Sequence, residues 1–214
     1  MTSYYIDTLY PLQDKVLKIL SEIKTEFYLT GGTALSRGYL NHRYSDDLDF
    51  FVNQNNNFVN LAEIILRQLS QLKTEINIKS DTYYSIMVND KLKIDLVNDS
   101  GKHLGKFKKL PLYLQTDNIE NILANKLTAI IGRDEPKDVV DIWAISKNKK
   151  INWKEIFTAS NSKAVGIFPP NIAERLAEFP VELLDQIKWI ENQKPNNDVF
   201  LQDIKKIINE MLLN

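Results

Sequence analysis

The chain has 214 residues, 43% hydrophobic and 26% charged, with a formal net charge of −1. That is the make-up of a folded protein with apolar mass for a core, and it excludes intrinsic disorder and a uniformly basic nucleic-acid coat. With no cysteine and only two histidines, His42 and His103, disulfides, thiolate metal sites and a cysteine nucleophile are excluded, and any bound metal is left with oxygen ligands, the preference of Mg²⁺ or Mn²⁺.

No apolar run approaches the length of a membrane span, and the opening MTSYYIDTLYPLQDK lacks the order of a signal peptide, so a cytoplasmic location without membrane association is expected. Val16, Leu20 and Ile23 recur at helical spacing within QDKVLKILSEIK, and Phe27-Tyr28-Leu29 reads as a short buried strand. This strand runs into Thr30-Gly31-Gly32, after which TALSRGYLN resumes with helix formers; the glycine pair therefore falls at a strand-to-helix corner. Leu48, Phe50, Phe51 and Val52 predict a second strand carrying Asp47 and Asp49, followed by the polar QNNN and a helix with Leu61, Ile64, Ile65 and Leu69 on one side.

Between Glu75 and Val97 the chain reads as β: EINIK, TYYSIMV, an Asn89-Asp90 turn, then KLKIDLV, where Leu92, Ile94 and Leu96 alternate with Lys93, Asp95 and Val97. From Ile119 the pattern is helical, through IENILANKLTAII, KDVVDIWAIS, NWKEIFTAS, NIAERLAEF, VELLDQIKWIEN and VFLQDIKKIINEMLL, with breaks at Pro136, Pro169-Pro170, Pro180 and Pro195. The expected fold class is α+β. Residues 1–117 form a core with a mixed sheet flanked by helices, and residues 118–214 a C-terminal helical layer that completes the active-site cleft.

Asp47 and Asp49 lie two apart on the predicted strand, so both carboxylates face the same way and repel unless a divalent cation sits between them. Asp95, on another strand, completes an oxygen cage of the Mg²⁺ type, the arrangement used in two-metal phosphoryl transfer. SDDLD offers Asp46 as an alternative register, but the strand period pairs Asp47 with Asp49. Upstream, Gly31 and Gly32 let backbone N–H groups close on a phosphate at the start of a helix, with the Thr33 hydroxyl as a further donor. Two basic runs, Lys102, Lys106, Lys108, Lys109 and Lys147, Lys149, Lys150, read either as solvated lysines or as phosphate contacts.

Taken in order, LTGGTALSRGYLNHRYSDDLDFFV, KIDLV and ANKLTAIIGRDEPKDVVDIWAI resemble the AbiEii/AbiGii nucleotidyltransferase-like family, over about residues 27–147. The resemblance implies a nucleotidyltransferase fold and a toxin of an abortive-infection or toxin–antitoxin system. Its motifs map onto Gly31, Gly32 and Thr33; onto the metal pair Asp47 and Asp49; onto Lys126; and onto Asp138, or equally Asp141. Lys126 falls within the apolar stripe of Ile119, Ile122, Leu123, Leu127 and Ile130, with Arg133 near the same line. Both read as cations that grip a triphosphate, or else as a snorkelling lysine and a salt-bridged arginine. Arg43, which also matches the family, either stabilises the transferred phosphate or braces the aspartates.

The expected activity is metal-dependent transfer of a nucleoside monophosphate from an NTP to a hydroxyl acceptor. Asp47, Asp49, Asp95, Lys126, Asp138 and Asp141 are the candidate catalytic set, and Gly31, Gly32, Thr33, Arg43, Lys126 and Arg133 the candidate nucleotide contacts. The resemblance further implies RNA as the acceptor, including the 3′ end of tRNA, and a cognate antitoxin. The alternatives are a non-catalytic module of the same fold that binds nucleotide or a partner, and an enzyme of that fold acting on a small molecule or a protein hydroxyl.

Overall fold

Strict alternation in LDFFVN and LKIDLVND builds the middle of a mixed five-stranded sheet. Its strands are β1 (Tyr28–Thr30), β2 (Leu48–Asn53), β3 (Thr74–Lys79), β4 (Tyr83–Val88) and β5 (Leu92–Asp99), in the order β1-β2-β5-β4-β3. β2 and β5 run parallel, and the other pairings are antiparallel. Leu48, Phe50 and Val52 of β2 and Leu92, Ile94 and Leu96 of β5 are buried, while Asp49, Phe51, Lys93, Asp95 and Val97 point to the other, partly open face. A one-residue slip would exchange the two sets, so the apolar face fixes the register of the polar one.

The computed structural model describes residues 2–213. The chain forms two compact units, one made of residues up to Tyr39 with Tyr44–Ser100 and Lys106–Asp117, the other of Leu40–Arg43, Gly101–Gly105 and the chain from Asn118 onward. The sheet unit begins with α1 (Thr2–Tyr4), a π-helical turn (Tyr5–Leu9) and α2 (Tyr10–Ser21), which buries Val16, Leu17 and Leu20. At the Gly31-Gly32 corner stands α3 (Gly31–Leu35), continued by a π-helical turn, Ser36–Leu40. α4 (Phe58–Gln68) buries Phe58, Leu61, Ala62 and Ile65, and the Phe58 ring meets Phe27 and Tyr84 edge-on.

In the helical unit, α5 (Ile119–Gly132) and α6 (Pro136–Asn148) contribute Leu123, Leu127, Val140 and Ile142 to the core. α7 (Trp153–Asn161), α8 (Pro169–Ala177) and α9 (Asn197–Leu212) add Trp153, Ile172 and Phe200. The helix expected over VELLDQIKWIEN is only a 3₁₀ segment, Val181–Gln186. Beyond it Trp189 forms a bridge with Arg43, its indole N–H donates to the Leu184 carbonyl, and its ring stands edge-on to Trp143. These contacts outweigh the local helical propensity. Asp47, expected on the strand, immediately precedes β2. No helix among the described residues is long and apolar enough to cross a membrane.

The sheet core sets the stability of its unit. Phe50→Ala, at a fully buried position, is expected to cost about 3–5 kcal/mol. Ile78→Ala, at an exposed position on edge strand β3, should stay within about 0.5 kcal/mol of the parent. Urea unfolding followed by circular dichroism compares the two.

Candidate active site

The entrance to β2 is tied down by aromatic and amide side chains of the N-terminal helices. The Tyr44 ring stacks on Tyr5 with centroids 4.3 Å apart, and the Tyr5 hydroxyl donates to Asp46 Oδ1 at 2.5 Å. The buried Gln13 amide donates to the Ser45 and Asp46 carbonyls, each at 3.1 Å, and the Ser45 N–H donates to the Tyr10 hydroxyl. Asp46 is therefore a tether of this loop. From α3, the Thr33 hydroxyl donates to the Asp47 carbonyl at 2.5 Å. That side chain, expected at a phosphate, is buried and holds the loop that carries Asp47.

Parallel pairing sets Asp49 directly beside Asp95, and the antiparallel neighbours put Thr30 next to Asp49 and Ser85 next to Asp95. Thr30, Asp49, Asp95 and Ser85 thus form one row across the polar face, with Thr30 and Ser85 buried at its two ends. Gly31 closes the row from above. Its φ is +69°, and a Cβ there would lie 2.0 Å from Asp49 Oδ2, so both the backbone conformation and the close approach require glycine.

One residue of this face was not foreseen. Lys93, two positions before Asp95 on the same side of β5, donates to Asp95 Oδ2 at 2.6 Å, while the Tyr83 hydroxyl donates to Asp95 Oδ1 at 3.0 Å. Partial burial opposes the charge on Lys93, but the hydrogen bond and charge of Asp95, with Tyr83 and Asp47 adding to them, hold its pKa above the ordinary value. The signal lay in the strand period: Lys93 and Asp95 alternate with the same apolar residues. The all-oxygen donor set of Asp47, Asp49 and Asp95 suits a hard divalent cation. Among the described residues no three such groups converge in a formed metal cage, and Lys93 supplies the neutralising charge at Asp95.

The remaining candidates gather in the helical unit. Lys126 Nζ lies 2.6 Å from Asp138 Oδ1 and 2.7 Å from Asp141 Oδ2. Arg43 grips both oxygens of Asp141 through Nε and Nη2, each at 2.7 Å, and His42 Nε2 is 2.8 Å from Asp141 Oδ1. Arg133 holds Asp138 through Nε at 2.7 Å and Nη2 at 3.1 Å, and its side chain keeps 52% exposure where that of Lys126 keeps 7%. Arg43, left by the sequence between a phosphate and the aspartate pair, places its guanidinium on Asp141, because a buried carboxylate needs a counter-charge.

Burial alone would raise the pKa of Asp141, but Arg43 and Lys126, with a hydrogen bond from His42, hold it well below the carboxylate range. Asp138 is likewise lowered by Lys126 and Arg133 against the cost of its burial. Lys126 pays the same burial cost, and Asp141 and Asp138 nevertheless raise its pKa above the usual lysine value. Folded carboxylates with depressed pKa values contribute stability that is present above their unfolded pKa, about 3.9, and is lost as pH falls through the folded values. The helical unit should therefore hold down to about pH 4 and unfold in stronger acid. Lys126→Ala, which removes one of the cations facing two buried carboxylates, is expected to cost about 3–5 kcal/mol at neutral pH and to move the acid midpoint upward. Circular dichroism against pH measures both.

The family model described as Nucleotidyl transferase AbiEii toxin, Type IV TA system, matches residues 15–189. No curated protein matches this chain. Among solved structures, JHP933 from Helicobacter pylori is similar with a TM-score of 0.60 and 20% identity, over 95% of this chain and 90% of that one. The antibiotic-resistance factor ANT(2″)-Ia is similar with a TM-score of 0.53 and 13% identity, over 70% of this chain and 88% of that one. At such identities the likeness shows the fold, an α+β mixed sheet with flanking helices. Because the family model covers most of the chain, from α2 through the aspartate row and the Lys126 cluster to Trp189, the chain belongs to the AbiEii nucleotidyl transferase toxin family of type IV toxin–antitoxin systems and is a nucleotidyltransferase.

Proposed function

We propose that the protein transfers a nucleoside monophosphate from an NTP to a hydroxyl on RNA, the 3′ end of tRNA included, with loss of pyrophosphate, and that it acts in the cytoplasm where a cognate antitoxin restrains it. The observation that carries this reading is the register of Asp49 beside Asp95, with the Gly31 backbone closed on the Asp49 carboxylate. Asp47 and Asp49 would hold Mg²⁺ or Mn²⁺, with Asp95 sharing it. Such an ion neutralises the triphosphate and makes a hydroxyl a better nucleophile. Gly31 and Gly32 offer backbone N–H groups to the phosphates at the start of α3. Asp95 accepts the proton of the attacking hydroxyl, and Lys93, its present partner, releases the carboxylate to do so.

Lys126, Asp138 and Asp141 fit a positioning role. They fix Arg133, the more exposed cation, for phosphate contact, and Arg43 through Asp141. A module that binds nucleotide without turnover would keep Lys93 on Asp95 permanently, and this is the rival the test must separate.

Purified parent, Asp49→Asn and Lys93→Met are to be incubated with each labelled NTP, Mg²⁺ or Mn²⁺, and total RNA. The parent should label RNA, and Asp49→Asn should lose transfer about a hundredfold or more while keeping its fold. Lys93→Met should bind Mn²⁺ several-fold more tightly, because a competing cation is gone. In growing cells at equal soluble levels, only a catalytic toxin loses its effect with Asp49→Asn. Equal toxicity of the two forms overturns the catalytic reading.

A further inference from the structure

The chain as a whole carries a net charge of −1, yet from Lys106 to Thr116 it holds three lysines and no acidic residue. This segment is built onto the sheet. Lys108 and Thr116 exchange backbone hydrogen bonds of 2.7 and 3.0 Å. The Leu29 N–H donates to the Gln115 carbonyl at 2.9 Å, and the Asp117 N–H to the Leu29 carbonyl at 2.8 Å. The segment thereby continues the sheet outward past β1. Tyr113 pins it from the apolar side, its ring edge-on to Phe50.

Phe107 lies on the other side, the side of the aspartates. Its ring centroid is 4.7 Å from that of Tyr28, whose register partner is Phe51, and Phe51 follows Asp49 by two residues on the same face. An aromatic path, Phe51, Tyr28, Phe107, therefore runs from the carboxylate row to the lysines within one unit. Tyr28 is buried, but Phe107 keeps 42% exposure, and Lys106, Lys108 and Lys109, its neighbours along the chain, are all exposed. A phenyl ring packed on Tyr28 yet partly open to water, with three exposed lysines next to it in the chain, offers a stacking face with phosphate partners close by. From strand geometry, Phe107 stands on the order of 10 Å from Asp49. That is about the length of three stacked nucleotides at ~3.4 Å each.

We propose that Lys106, Phe107, Lys108 and Lys109 form the landing strip for the single-stranded end of an RNA acceptor. One base stacks on Phe107, the lysines pair with the backbone phosphates, and the terminal hydroxyl reaches the Asp49–Asp95 row. Only this last clause rests on the transferase reading above.

The test is binding of a fluorescent single-stranded RNA about a dozen nucleotides long to the full chain, without NTP, across a salt series. The parent should bind it more tightly than a blunt duplex of the same length. Phe107→Ala should weaken binding about tenfold, and Phe107→Trp should restore it. Lys108→Ala and Lys109→Ala should each lower the salt slope by about 0.7. In transfer assays, Phe107→Ala should raise KM for this RNA and leave KM for a dinucleotide, too short to reach the strip, unchanged. If the parent binds no single-stranded RNA, as it would were the strip a seat for an acidic polypeptide, or if all variants bind like the parent, the proposal is overturned. Transfer to a dinucleotide would then still uphold the general activity. RNA binding that depends on Phe107 in a protein that transfers nothing would keep the strip and overturn the transferase reading instead.

Discussion

Parallel pairing of β2 and β5 forces Asp49 and Asp95 side by side, and much of the sheet unit can be read as a response to that like-charge contact. The register cannot slip to relieve it, because a one-residue shift would turn Leu48, Phe50, Ile94 and Leu96 out to solvent. At roughly 25 cal/mol per Å² of apolar surface, exposing several such side chains costs more than the repulsion between two partly solvated carboxylates. The repulsion is met on the polar face instead, where Lys93 and Tyr83 hydrogen-bond Asp95. A cation-seeking site is thus held open by the apolar packing behind it.

The same face is preorganised from its edges. Thr33, Gln13, Tyr5 and Tyr10 make five hydrogen bonds to the loop of residues 45–47, so Asp47 enters β2 from a loop whose backbone is already fixed. Gly31, in a left-handed conformation, lets the first turn of α3 come down onto the Asp49 carboxylate. Groups held this way need little rearrangement when a charged ligand arrives, which is the physical basis of electrostatic preorganisation.

The helical unit meets a related problem by different means. Asp138 and Asp141 are wholly buried, where an ionised carboxylate is tolerated only with close partners, and Lys126, Arg43 and Arg133 supply three cations to the two acids. Lys126 sits in the apolar stripe that helical spacing assigned to it. Its ammonium meets carboxylates one turn into the following helix, and this makes the cluster a brace between α5 and α6 as well as an electrostatic site.

Periodicity alone was enough to read the five strands, the Gly31-Gly32 corner, the alternation that puts Asp95 on the polar face of β5, and the inward stripe of α5, because each depends on local spacing of apolar residues. The type of the fold followed from the same signals, and the motif string Gly-Gly-Thr, Asp-x-Asp and Lys126 pointed to the family that the chain belongs to. Partner choice was another matter. Whether Lys126 faces a ligand or Asp138, whether Arg43 faces a phosphate or Asp141, and which acidic residue of SDDLD is tethered by Tyr5 all turn on groups 12 to 98 positions away in the chain or, for Tyr5, on a helix far upstream. The 3₁₀ segment in place of a helix at Val181–Gln186 has the same origin, since the contacts of Trp189 with Leu184 and Trp143 compete with local propensity. Spacing along a chain dictates which face a side chain takes. Which charge waits on that face is set by elements that only folding brings there, and in a low-dielectric interior that choice is worth several kcal/mol, more than any local preference.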